Sequence, residues 1–201
     1  MKAGMLIAVA TFALIAAPAG AGVVVSMQCQ PDDDGAILGC NTSTGTYGGD
    51  YALYVAETQV RGTGHLLGDV VTDGDPSAWV LKDVLNQTGF TWTGYYINIY
   101  MDQPFTLTAG VAPDFWSFSL GTVTGGGHTD ADGRTWTYMG TVTYTPSSSS
   151  YYIAPGSSGD FGAKFLFGGT GDFEIEQIAV PEPVSLALLA LGGLFLRRRS
   201  R

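Results

Sequence analysis

Between residues 22 and 178 no long stretch carries apolar residues at a helical period without a glycine interrupting it. Short alternating runs recur instead, rich in aromatic and β-branched residues and bounded by Gly, Pro, Ser or Asp. Asp50 to Val60 and Phe90 to Met101 alternate most clearly; in the second, Tyr95, Ile97, Ile99 and Met101 oppose Tyr96, Asn98 and Tyr100. Shorter runs follow at 105–108, 115–120, 135–144, 151–153, 162–167 and 173–179. Period-2 patterning places successive side chains on opposite faces of a sheet, and the 29 glycines of the chain suit many turns. The expected fold is all-β: an antiparallel β-sandwich of about eight to ten strands, jelly-roll or Ig-like.

Two apolar runs stand outside this pattern. Near the start, Lys2 precedes the run Met5 to Ala17; Pro18 then breaks it, and Ala19-Gly20-Ala21 supplies small residues at alternate positions. That is the layout of a signal peptide, residues 1–21, cut after Ala21, with Ala17-Pro18-Ala19 as the second-ranking site. At the far end, VPEPVSLALLALGGLFLRRRSR joins Pro181-Glu182-Pro183 to an apolar run, Val184 to Leu196, and to Arg197, Arg198, Arg199 and Arg201. A helix over that run spans about 20 Å, short of a hydrocarbon core about 30 Å thick, while its arginines stay cytoplasmic. Such a segment suits a transient tether. The order of its parts resembles the PEP-CTERM sorting signal of exported bacterial proteins. That resemblance, confined to residues 179–201, implies processing by an exosortase-type membrane protease and delivery to the cell surface or extracellular matrix. It also implies a role within exopolysaccharide or biofilm. The segment VLNQTGFTWTGYYINI resembles, more loosely, a strand pattern of β-domains exported with such tails, which implies architecture and not activity.

The intervening domain, 22–178, holds four of the nine basic residues and 17 of the 18 acids, a net charge of −13. Such a surface repels nucleic acid and anionic headgroups and is compatible with cations and with neutral or basic polymers. In an exported chain the isolated cysteines Cys29 and Cys40 read as one disulfide, closing a loose loop over Pro31 to Gly35. Loop closure of this size contributes about 3 kcal/mol. Trp79 to Leu85 and Phe90 to Met101 read as a hairpin around Asn86 to Gly89, and His65 as a residue of a Gly-rich turn. The sequons at Asn41 and Asn86 fit surface turns.

Reaction chemistry is sparsely provided. There is no Gly-x-Ser-x-Gly elbow, no phosphate loop ending in Lys-Ser/Thr and no Cys-x-x-Cys, and neither His65 nor His128 has Cys or Glu at zinc-ligand spacing. The expectation is no catalytic residue, no cofactor and no metal. Asp130-Ala131-Asp132-Gly133 is the best calcium-like turn, but it lacks the further acidic ligands of an EF-hand; 32–34 and 73–75 are weaker versions. Two carboxylates meeting in space would suffice for a glycan hydrolase, the third-ranked reading. Trp79, Trp92 and Tyr96 read as sheet packing, leaving Tyr151 and Tyr152 beside the Ser-rich loop as the expected glycan contact of a carbohydrate-binding module.

Overall fold

The computed structural model describes residues 24–73 and 77–183, which form twelve strands in two facing sheets. In the first, β1 (Val24–Pro31), β4 (Thr63–Thr72), β12 (Gly171–Pro181), β6 (Trp92–Met101), β10 (Thr135–Pro146) and β8 (Trp116–Leu120) lie in that order, with β9 (Thr124–Thr129) also on β10. The second runs β2 (Ile37–Tyr47), β3 (Asp50–Gln59), β5 (Ser77–Asn86), β11 (Ser158–Phe167), β7 (Phe105–Val111). The chain is all-β as expected, with more strands than expected and one parallel pair, β3 with β5, in an otherwise antiparallel arrangement. β9, Thr-Gly-Gly-Gly-His-Thr, has none of the aromatic alternation that marks its neighbours.

The inner faces follow the period-2 pattern. Leu53 and Val55 of β3, Val80 and Val84 of β5, and Phe161, Phe165 and Phe167 of β11 meet Tyr95, Ile97 and Ile99 of β6 and Ile175 of β12 in one core. Tyr95 is its centre: its ring stacks on Phe161 of the opposite sheet at 4.2 Å and on Trp92 at 5.1 Å. Tyr144 and Trp116 close on Phe161 edge-on, the geometry aromatic quadrupoles favour.

β5 and β6 do not form the expected hairpin; they belong to different sheets. Asn86 is the reason. It is fully buried, its amide donating to the carbonyls of Phe90 and Ile153 and its oxygen accepting from the Thr88 amide and hydroxyl. The Trp92 indole N–H then donates to the Thr88 hydroxyl, and Gly89 takes a left-handed φ of +75°. These bonds fold Asn86 to Trp92 into a corner that carries the chain across the core. The Asn86 sequon is therefore structural and interior, whereas Asn41 is exposed on β2.

β1 and β2 also lie in different sheets, with Pro31 to Gly35 crossing between them. Cys29 and Cys40 are free thiols, close enough to share a hydrogen bond that pushes the Cys29 thiol up and holds Cys40 down. The last strand extends beyond the expected boundary at 178: Pro181 pairs with Trp92, and the Glu182 amide donates to the Thr91 carbonyl. A proline without an N–H is accommodated at the end of a ladder. The expected signal peptide with Ala19 and Ala21, the apolar tail and Arg197, Arg198 and Arg199 lie outside the described residues. Among the described residues no helix is long and apolar enough to cross a membrane.

Because Phe161 touches both stacked and edge-on partners, Phe161→Ala should cost about 3–5 kcal/mol in denaturant unfolding. Leu166→Ala, on the exposed side of the same strand, should cost well under 1 kcal/mol, within about ±0.5.

Candidate functional site

The outer face of the second sheet is concave. Along β3 the buried Leu53, Val55 and Glu57 alternate with outward Tyr54 and Ala56; along β5, Val80, Lys82 and Val84 alternate with outward Leu81 and Asp83. Small outward residues leave room between the large ones. The Tyr54 ring lies against β2 at Gly45, where an added Cβ would come within 3.2 Å of it, and its hydroxyl donates to the Thr46 carbonyl at 2.9 Å. Leu81 likewise leans over Gly162. The result is an open groove of about 430 Å³, walled by Tyr47, Tyr54, Leu81 and Val111. Asn41, Ser43, Asp83 and Asp160 supply its polar groups. Tyr47 also caps Trp79 edge-on at 5.0 Å, so that outward-facing indole is covered.

Asp83 and Asp160 stand directly opposite each other on neighbouring antiparallel strands. Neither carboxylate has an ion pair among the described residues. Partial burial, then the nearby charges of Asp83 and Asp114, raise the Asp160 carboxyl above the usual range. An apolar wall with an aromatic face, flanked by amide, hydroxyl and carboxylate groups, has the elements that hold a sugar ring: a face to stack on and acceptors for its hydroxyls. Sequence reasoning missed this groove because its residues are dispersed over five strands. The readable signal was Tyr54, Leu81 and Asp83 standing in the outward phase of otherwise core-forming strands.

The expected contact at Tyr151 and Tyr152 is arranged differently. Tyr151 ends a short 3-10 helix, Ser149–Tyr151, where a strand was expected; Tyr152 is half-buried. Tyr151 stacks face to face on Phe115 at 4.2 Å, so one of its faces is already occupied. Phe115 is 62% exposed and holds a left-handed φ of +63°. Its carbonyl accepts from the Ser147 amide, and the Trp116 indole donates to the Tyr151 carbonyl.

The acidic turn is a structural knot. Both Asp130 oxygens are engaged: one accepts from the backbone amides of Asp132 and Arg134, the other from the Trp136 indole at 2.8 Å. Both oxygens are thus occupied by protein donors, and among the described residues no group of three or more His, Cys, Asp or Glu side chains has metal-binding geometry. Asp132 faces His65, which is not in a turn but buried within β4. His65 Nδ1 lies 2.8 Å from Glu174 Oε1, and Arg134 bridges Glu174 Oε2 at 3.3 Å to Asp32 Oδ2 at 2.8 Å. The Glu174 hydrogen bond raises the His65 pKa, while burial raises that of Glu174.

No family model, no curated protein and no solved structure matches this chain.

Since folding raises the His65 pKa, its charged form adds stability that is fully present below about pH 6.5 and is lost as pH rises through the folded value. His65→Gln should therefore lower Tm more at about pH 5.5 than at about pH 8.5. An equal loss at both would mean that a neutral hydrogen bond accounts for the contact.

Proposed function

We propose that this chain is an exported structural and adhesive protein of the cell surface or extracellular matrix. An exosortase-type membrane protease sorts it through residues 179–201, and its domain adheres to extracellular polysaccharide. The observation that carries the adhesive contact is the groove on the second sheet, with Tyr54 laid against β2 and polar groups beside it. Its charge narrows the ligand: Asp83 and Asp160 line it, Lys82 turns into the core, and the surrounding domain is acidic. Neutral or amino-sugar polymers suit it, and uronic-acid polymers are repelled. Successive strands mostly alternate between the two sheets, which favours jelly-roll-type wiring, a plan shared by many lectin domains. In the oxidising exterior the paired Cys29 and Cys40 thiols would close as a disulfide joining the two sheets. The facing carboxylates Asp83 and Asp160 favour a second reading, a glycan hydrolase.

Titrating the protein with neutral, amino-sugar and uronic polysaccharides tests the groove. Saturable binding to one of the first two is expected, weakened about tenfold by Tyr54→Ala and unchanged by Tyr151→Ala with Tyr152→Ala. Loss only in the Tyr151/Tyr152 variant would move the site, and release of reducing ends would make the protein a hydrolase. Export is tested separately by C-terminal sequencing of protein recovered from its native host. A terminus near Pro181 to Pro183 is expected; retention of Arg201 in the membrane fraction would make the tail a plain anchor.

A further inference from the structure

Beneath the groove, where the sheets face each other, lies a polar cluster that adhesion leaves unused. Lys82 of β5 stands in the inward phase with Ala78, Val80 and Val84, and its ammonium is buried. Glu57 of the neighbouring β3 places Oε1 2.9 Å from Lys82 Nζ, outside hydrogen-bonding geometry, and neither Glu57 oxygen has a hydrogen-bond partner among the described residues. From the opposite sheet Gln177 of β12 brings Oε1 into contact with Nζ. The amide nitrogen of Gln177 is buried and has no hydrogen-bond partner among the described residues. Tyr95 Oη lies 2.9 Å from the same Gln177 oxygen and 2.7 Å from Gln59 Oε1, with one proton to donate. Burial keeps that phenol protonated.

An amine, a carboxamide, a carboxylate and a hydroxyl donor thus meet in a site closed to water. We propose that Lys82 and Gln177 join in an intramolecular isopeptide bond, the amine displacing ammonia from the carboxamide, with Glu57 carrying the protons. Glu57 takes one proton from the Lys82 ammonium. The neutral Nζ then attacks Gln177 Cδ, forming the Nζ–Cδ bond, while the carbonyl electrons move to Oε1, where the Tyr95 hydroxyl stabilises the developing charge. Glu57 passes its proton to Nε2 and accepts the surplus proton from Nζ. As the carbonyl re-forms, the Cδ–Nε2 bond breaks and ammonia leaves. The balance is one ammonium, one carboxamide and one carboxylate consumed for one secondary amide, one ammonia and one carboxylic acid, with no oxidant or reductant. Nothing among the described groups holds Nε2 in place, so the leaving nitrogen forfeits no hydrogen bond. Hydrolysis, the competing reaction, needs water that the core excludes.

The driving force is the burial itself. Two charges held in an apolar core are a standing cost that mutual attraction offsets only in good geometry, and this pair lacks hydrogen-bonding geometry. The product replaces both with neutral groups. It also ties β5, the middle strand of the second sheet, to β12, an interior strand of the first.

Intact mass and peptide mapping of the denatured, reduced full chain test this without any variant. The expected result is a mass one ammonia below that calculated for the termini the chain carries and a peptide in which 62–134, uncut at Lys82, is joined to the segment beginning at 165. Full mass, with trypsin cutting after Lys82 and no joined peptide, overturns the proposal. Glu57→Gln, which keeps the side-chain volume, should restore the full mass while the far-ultraviolet spectrum stays that of a β protein. A Glu57→Gln chain that still carries the joined peptide overturns the proton-carrying role of Glu57.

Discussion

Two charges, Lys82 and Glu57, sit in the middle of a mainly apolar sandwich, and much of the surrounding structure makes their burial tolerable. Tyr95 does this from both ends. Its ring stacks on Phe161 and Trp92, fastening one sheet to the other, and its hydroxyl reaches the amides of Gln59 and Gln177 beside the ion pair. An uncompensated buried charge costs several kcal/mol, comparable to the stability of a whole domain. The cluster therefore constrains register: shifting β5 by one residue would put Lys82 on the groove face and leave Glu57 alone inside. The parallel pairing of β3 with β5, which sets Val55 opposite Lys82 and Glu57 opposite Val84, holds the two charged residues within reach of each other.

The same strands serve two surfaces. Inward residues of β3, β5 and β11 build the core and the cluster; outward residues of the same strands build the groove. A rigid inner face is what lets the outer face present Tyr54, Leu81, Asp83 and Asp160 in fixed positions. Other parts hold their shape by other means. Asn86, Asp130 and Glu174 are buried polar residues that pin a corner, a turn and the β4–β12 strand pair through specific hydrogen bonds. Their burial serves shape, which separates them from the groove carboxylates, which have no ion-pair partner among the described residues.

The all-β class was legible in the sequence because alternation is local: residues i and i+2 share a face whatever the strand pairs with. Asp50 to Gln59 and Trp92 to Met101 form strands where the pattern placed them. Pairing is not local. Nothing in Trp79 to Met101 distinguishes a hairpin from a crossing between sheets until the Asn86 side chain finds the Ile153 carbonyl, 67 residues away in sequence. His65 read as a turn residue because Gly62 and Gly64 precede it. In the fold Gly62 lies in the bend before β4, while Gly64 is within the strand and leaves space that Ile37 occupies, as Gly68 further along does for the Phe173 ring. Lys82 was the most readable missed signal: a lysine in phase with Val80 and Val84 asks for a buried partner.

By itself the sequence determined the β class, the acidic charge of the domain, the alternating faces of the long strands and the two apolar runs at the ends. Those properties follow from composition and period alone. Tertiary structure decided which strands share a sheet, which polar residues are buried, and that Lys82, Glu57, Gln177 and Tyr95 converge from four strands. The physical reason is that backbone hydrogen bonds are alike along every strand. Their partners are chosen by which side chains can share a core, and that choice is made only when distant segments meet.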